Sequence, residues 1–151
     1  MFRIKNILLP TDFSKISLTA AEYAVELANE YKAKLHILNV LEKTPPILAI
    51  RSLDLSSDKI IESIDKDAKA QLEECVKKVK KLGNVDIIPV ILKGLDYEEI
   101  IKYSEKNNID IIVIATHGRT GILHTLLGSV AEKVIRYSKI PVLVTTPADN
   151  S

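Results

Sequence analysis

Five short apolar runs alternate along the chain with longer segments in which apolar residues recur every three or four positions. The short runs are continuously apolar rather than alternating with polar residues, as is typical of strands buried on both faces of a parallel sheet. We therefore expect five strands, at residues 4–9, 34–41, 85–92, 110–115 and 141–146.

The intervening segments predict four helices, at residues 18–31, 58–82, 96–107 and 128–139, because each carries an apolar stripe at helical spacing. Ser14 and Ser17 are both suitable N-caps for the first helix. Asp96 and Glu99 have the spacing of a capping pair before the third. Gly83 stands just past the second helix, where glycine commonly ends a helix.

This alternating order predicts an α/β fold, an open doubly wound parallel sheet with helices on both faces. Pro89 cannot donate to a strand ladder, so the third strand is expected at an edge. The strand order 3-2-1-4-5 satisfies that constraint. The winding direction then reverses between strands one and four, and a ligand is expected beyond their carboxyl ends.

Composition restricts the functional classes. The 151 residues suit one domain, expected at residues 1–147 with a polar tail at 148–151. A net charge of +1 gives no electrostatic basis for binding long nucleic acid or an anionic membrane, and no apolar run approaches a membrane span. The single cysteine, Cys75, is expected to fill space in the core, and this cysteine usage fits a reducing cytoplasm.

The segments that meet at the reversal of winding carry residues suited to a phosphate. Gly128 and Ser129 stand where a helix begins, and free N–H groups at a helix start bind anions. Gly118 permits a close approach, and Arg119 supplies a mobile cation. Asp12 can accept from ribose hydroxyls or an adenine amine, or can help to hold a divalent ion together with phosphate oxygens. A nucleotide site is one interpretation.

The other interpretation is an ordinary long connection, in which Ser129 caps a helix and Asp12 forms a turn. His117, next to a glycine, is then a turn residue, and the three histidines are too scattered for a metal site of their own. The loop is not a Walker A motif, because no lysine precedes Ser129.

Gly118, followed by nine residues and then Gly128-Ser129, resembles the universal stress protein signature G-x2-G-x9-G-[ST]. The opening ILLPTDFS and the stretch HGRTG…LLGSVAEKVIRYSKIPVLV are also similar to that family, so the resemblance covers essentially the whole chain. It implies the same open 3-2-1-4-5 sandwich, of the adenine nucleotide alpha hydrolase-like type. One branch of the family binds ATP at the reversal point, and a branch without the glycines does not.

Carried over by motif position, the resemblance implies three groups of contacts. The adenosine end would be lined by Pro10, Thr11 and Asp12, and adenine would meet the backbone of Val40. Ribose and phosphates would be contacted by residues of the signature segment, namely Gly118, Arg119, Gly128, Ser129 and Val130. His117 lies in the same segment and is included among the expected nucleotide-binding residues. Ala115 takes the place of the signature's first glycine and adds one methyl group there.

These residues predict a regulatory stress-response module that binds ATP, with Mg²⁺ at Asp12 as an option, and acts through a protein partner. Two alternatives stay open. One is slow ATP hydrolysis, with Arg119 stabilising charge and His117 orienting water. The other is a dimeric stress protein that binds no nucleotide, for which Ala115 is the best argument.

The last strand predicts self-association. An edge strand with apolar side chains and exposed backbone groups invites pairing, and the family resemblance implies a homodimer in which two such strands pair antiparallel. The residues concerned are Val142, Leu143, Val144 and Thr145. The segment at 42–57 is expected to be a loop that folds over the nucleotide or contacts a partner.

Overall fold

A computed structural model describes residues 1–43, 57–116 and 128–147. Strands and helices alternate through these ranges as predicted, and their ends fall within three residues of expectation. Among the described helices, none is both long and apolar enough to cross a membrane. The elements are β1 (Asn6–Pro10), α1 (Lys15–Tyr31), β2 (Lys34–Leu41), α2 (Ser57–Lys80), β3 (Asp86–Lys93), α3 (Asp96–Lys106), β4 (Ile111–Ala115), α4 (Ser129–Tyr137) and β5 (Val142–Thr145).

The strands form one parallel sheet in the order β3-β2-β1-β4-β5, which confirms the predicted topology. Pro89 lies on β3, opposite Ile37 of β2, so the edge position inferred from the proline is correct. The winding direction reverses between β1 and β4, as expected. The carboxyl ends of these two central strands therefore flank the predicted ligand crevice.

Each face of the sheet is covered by a pair of helices. The first cluster of buried residues joins the sheet to α1 and α2, and the second joins it to α3 and α4. Cys75 of α2 is 3% exposed within the first cluster, which confirms its role as a small core residue. Burial raises the pKa of the Cys75 thiol, so the neutral thiol is favoured at this position.

Ser14 is the N-cap of α1, because its Oγ accepts a hydrogen bond from Ser17 N at 3.1 Å. Ser17 is therefore inside the helix, and its own hydroxyl donates back to Ser14 O at 2.9 Å. Helix α1 begins three residues earlier than the apolar periodicity indicated. Polar residues in its first turn hid that start from a pattern based on apolar spacing.

The predicted capping pair before α3 is wrong. The N-cap is Leu95, which makes no side-chain capping bond, and Asp96 Oδ1 instead accepts from Tyr97 N at 2.6 Å. Glu99 lies over Gly94, since a methyl group on that glycine would be 2.6 Å from Glu99 Cγ. Gly94 has φ of 154°, and this turn rather than a capping box sets the start of the helix.

Gly83 follows α2 for a different reason from the one predicted. It is not among the described glycines with positive φ, so it does not end the helix in a left-handed conformation. A methyl group at Gly83 would lie 2.7 Å from Val25 Cγ1 and 2.8 Å from Asn29 Nδ2 of α1. The glycine is needed because the chain passes close to α1 at this point.

A buried histidine ties three elements together at the amino edge of the sheet. His36 Nδ1 lies 2.7 Å from Tyr103 Oη, and His36 Nε2 lies 3.2 Å from Asn6 Oδ1. Asn6 Nδ2 donates to Asn108 O, which leaves its oxygen facing the imidazole. His36 Nε2 therefore carries the proton and Nδ1 accepts from Tyr103. Burial, and secondly the charge of Lys34, lower the pKa of His36.

Candidate functional site

Strand pairing changes at the carboxyl edge of the sheet. Strand β1 pairs with β2 through its last residue, Pro10, and β4 pairs with β5 through its last residue, Ala115. Between β1 and β4, by contrast, the last pair is Leu8 with Ile112. The residues that follow on both strands are described by the structure, but they do not pair with each other. The two central strands therefore stop pairing before either one ends, at the point where the winding reverses and a ligand crevice is expected.

Thr11, directly after β1, is held from several sides. Its N–H donates to Leu38 O at 2.9 Å, which extends the β1–β2 pairing by one step. Its Oγ1 lies 2.7 Å from Ser17 Oγ and accepts from Phe13 N at 3.0 Å. Thr11 is buried, so these bonds form in a region of reduced screening and fix the path of the turn.

Asp12 shapes the next step of the turn. Its Oδ1 accepts from Ser14 N at 2.9 Å, the pattern by which aspartate stabilises a turn before a helix. Phe13 between them has φ of 68°, in the left-handed region that bulky residues seldom adopt. The turn-forming role of Asp12 is thus confirmed. Asp12 follows the end of β1 by two residues, at the carboxyl edge of the sheet.

The end of β2 contributes Asn39 and Val40. Val40 is partly buried and packs against the cluster under α3 and α4. Asn39 is buried, and its Nδ2 donates to Thr11 O at 2.9 Å. Asn39 Oδ1 is also buried, with no hydrogen-bond partner among the described residues. Sequence reasoning missed Asn39, although a polar residue near the end of the run KLHILNVL was a usable signal.

Ala115 occupies an ordinary strand position at the end of β4. The described non-glycine residues with positive φ are Phe13, Lys32 and Asn108, so Ala115 keeps the negative φ that any residue adopts. Its side chain is 9% exposed and belongs to the cluster under α1 and α2. Glycine is therefore not required there by the backbone. The following residue, Thr116, donates its N–H to Thr145 O at 2.9 Å.

Helix α4 begins with Gly128 as its N-cap, at φ −58° and ψ 147°. Ser129 is therefore the first helical residue, and the alternative in which Ser129 caps the helix is wrong. No side chain of the described residues caps this end. Ser129 is exposed, whereas Val130 is partly buried against the α3–α4 cluster. The first backbone N–H groups of α4 thus lack a side-chain capping partner in the described structure.

The topology brings the predicted residues to one edge of the molecule. The segment Pro10-Thr11-Asp12, with Val40 and Ala115, lies at the carboxyl ends of three strands. Helix α4 runs back toward the start of β5, so Gly128, Ser129 and Val130 stand at that same edge. His117, Gly118 and Arg119 lie outside the described residues. Across the described ranges, no three His, Cys, Asp or Glu side chains are grouped to hold a metal ion.

The sequence profile described as the universal stress protein family matches residues 3–146. The chain belongs to the universal stress protein family. Universal stress protein MJ0531 of Methanocaldococcus jannaschii is 38% identical, over 93% of this chain and 81% of its own length. Universal stress protein MJ0577 of the same organism is 32% identical, over 93% of both chains.

Solved structures of the family share the fold. The structure of MJ0577 superimposes with a TM-score of 0.80 at 30% identity and covers 97% of this chain and 98% of its own. A universal stress protein solved in complex with cAMP gives a TM-score of 0.70 at 26% identity, over 95% of this chain and 98% of its own. The open 3-2-1-4-5 sandwich is therefore the fold of the family as well as of this chain.

Proposed function

We propose that this universal stress protein binds an adenine nucleotide, with ATP as the expected ligand, in the crevice between the ends of β1 and β4. The observation that carries the proposal is the loss of β1–β4 pairing after Leu8 and Ile112, while the outer pairings continue to Pro10 and Ala115. The related structure solved with cAMP supports an adenine nucleotide as the ligand class.

The phosphates would lie against the start of α4. Gly128 has no side chain to obstruct an oxyanion, and the N–H groups of Ser129 and Val130 belong to the positive end of the helix. The Ser129 side chain is exposed and can donate a further hydrogen bond. His117, Gly118 and Arg119 remain predicted contributors from the motif.

The adenosine would lie against the β1–α1 turn. Pro10, Thr11 and the Asp12 carboxylate border the crevice, and Val40 offers its backbone from the end of β2. Asp12 would accept from a ribose hydroxyl, or share a Mg²⁺ ion with phosphate oxygens. These assignments rest on motif position together with the rigid hydrogen bonding of the turn.

Ala115 is compatible with this function. Its methyl group packs into the cluster under α1 and α2, and its backbone adopts strand geometry. The departure from the signature's first glycine therefore gives no physical reason for an empty site. A bound nucleotide would act as a regulatory signal, with a protein partner as the recipient.

The proposal is tested by calorimetric titration of ATP with Mg²⁺ into the wild type, Ser129→Ala and Ser129→Asp. An acidic residue in the first turn favours a helix by about 0.3–1 kcal/mol, so Ser129→Asp should keep or raise stability. The same charge should repel the phosphates and weaken ATP binding by at least about tenfold.

Ser129→Ala is the matched control because it removes the hydroxyl without adding charge, and it should lose less affinity than Ser129→Asp. Equal ATP affinity in the wild type and Ser129→Asp would contradict the phosphate position. A wild-type protein that binds no adenine nucleotide would refute the proposal as a whole.

We also propose a homodimer formed through β5. This strand is the edge of the sheet opposite β3, and Val142, Leu143 and Val144 are partly exposed along it. Thr145 is buried, so it would contribute backbone rather than side-chain contacts. Light scattering of the purified protein should give twice the mass of one chain. A mass equal to a single chain would contradict the dimer.

A further inference from the structure

We propose that Asn39 is a positioning residue for the adenosine end of the site, an inference that rests on the proposed nucleotide binding. Its side-chain amide links the ends of β1 and β2, and the residues assigned to adenosine lie at or next to these two strand ends. Asn39 Nδ2 donates to Thr11 O at 2.9 Å, and the residue is 6% exposed. The residue that follows it, Val40, is the expected backbone contact of adenine.

The bond from Asn39 controls where Asp12 stands. The peptide group between Thr11 and Asp12 is planar, so a fixed Thr11 carbonyl fixes the plane from which Asp12 continues. Thr11 is already held through its N–H by Leu38 O and through its hydroxyl by Ser17. Asn39 supplies the bond to the carbonyl, and with it three polar groups of Thr11 have protein partners.

The other half of the amide indicates that Asn39 is not a simple packing residue. Asn39 Oδ1 is buried without a partner among the described residues, so the bond that this amide makes there is the one from Nδ2 to Thr11 O. Leucine has the same branching and the same number of side-chain heavy atoms, and it would occupy this region without burying a polar oxygen. A buried amide at this position is explained if its N–H group is needed to hold the turn.

The role predicts a split between two ligands. Inorganic triphosphate would use only the phosphate end at Gly128 and Ser129, whereas ATP would use both ends. Disturbing the Thr11 turn should weaken the binding of ATP and leave the binding of inorganic triphosphate nearly unchanged. General destabilisation of the protein would weaken the binding of both ligands together. Comparing the two affinities therefore separates a positioning role from a structural role.

The experiment measures both affinities, with Mg²⁺, for the wild type, Asn39→Leu and Asn107→Leu. Asn107 is the matched control, because its Nδ2 also donates to a backbone carbonyl, Tyr103 O at 3.0 Å, but at the C-terminus of α3. We expect Asn39→Leu to bind ATP about fivefold to tenfold more weakly than the wild type. Its affinity for inorganic triphosphate should stay within about twofold of the wild-type value. Asn107→Leu should match the wild type for both ligands.

Hydrogen exchange provides a second measurement that does not depend on a ligand. In Asn39→Leu, the amides of Phe13 and Ser14 should exchange faster, while amides in the middle of α1 stay protected. Unchanged ATP affinity, or parallel losses of ATP and triphosphate, would overturn the role of Asn39 and leave nucleotide binding intact. A wild type that binds neither ligand would instead refute the proposed function, and this inference with it.

Discussion

Replacing Ala115 by glycine restores the first position of the nucleotide-binding signature, so it tests whether the alanine impairs the site. The backbone at Ala115 has strand geometry without positive φ, and glycine offers no conformational relief there. The methyl group is turned into the cluster under α1 and α2, where it is 9% exposed. We therefore expect Ala115→Gly to lower stability without improving nucleotide binding.

The size of the stability loss follows from two contributions. Loss of a buried methyl group removes about 0.8 kcal/mol of hydrophobic stabilisation. Glycine in place of alanine in a paired strand residue costs up to roughly 0.5–1 kcal/mol more, through the entropy of the unfolded chain. Together they give about 1.5 kcal/mol, which corresponds to a Tm lowered by about 3–6 °C for a chain of this size.

The assay combines thermal unfolding with ATP titration for wild type, Ala115→Gly and Ala28→Gly. Ala28 is the control because it also buries a methyl group in the α1–α2 cluster, but near the C-terminus of α1, away from the site. Both variants should be destabilised, and both should bind ATP within about twofold of wild type. An affinity at least about tenfold tighter in Ala115→Gly alone would show instead that the alanine impairs the site.

Two further predictions concern stability away from the site. Folding lowers the pKa of His36, so the neutral imidazole stabilises the folded protein. This contribution should be fully present above the unfolded-state pKa of about 6.5 and should be lost as the pH falls from there through the lowered pKa of the folded state. Urea unfolding at about pH 7.5 and about pH 5 should show a smaller loss in His36→Asn than in wild type, and equal losses would contradict this. Gly83→Ala should cost about 1–3 kcal/mol, because its methyl would crowd Val25 and Asn29, and an unchanged urea midpoint would count against that packing.

Much of the fold could be predicted because it depends on patterns that the sequence carries locally. Continuous apolar runs indicated buried parallel strands, and Pro89 indicated which strand lies at an edge. The details that failed depend on contacts between distant segments. Gly83 resembled a helix stop but is required by its proximity to Val25, and that proximity cannot be deduced from residues next to Gly83.

The candidate site could be predicted in its residue types but not in its geometry. Motif spacing indicated Asp12 and Ser129, yet only strand pairing reveals where β1 and β4 stop pairing. Asn39 interrupts an apolar run, which marks it as unusual, but the run does not indicate its contact with Thr11, 28 positions away in the chain. The role of Ala115 likewise became clear only from its backbone conformation.

Nucleotide binding between β1 and β4 is best tested by mass spectrometry of the small molecules released when natively purified protein is denatured. We expect the denatured protein to release ATP or ADP at about one molecule per chain. For protein purified without ligand, we expect the Tm to rise by about 5–10 °C when ATP and Mg²⁺ are present at about 100 times Kd. Protein that releases no nucleotide and gains no thermal stability from ATP and Mg²⁺ would contradict nucleotide binding at the crevice between β1 and β4.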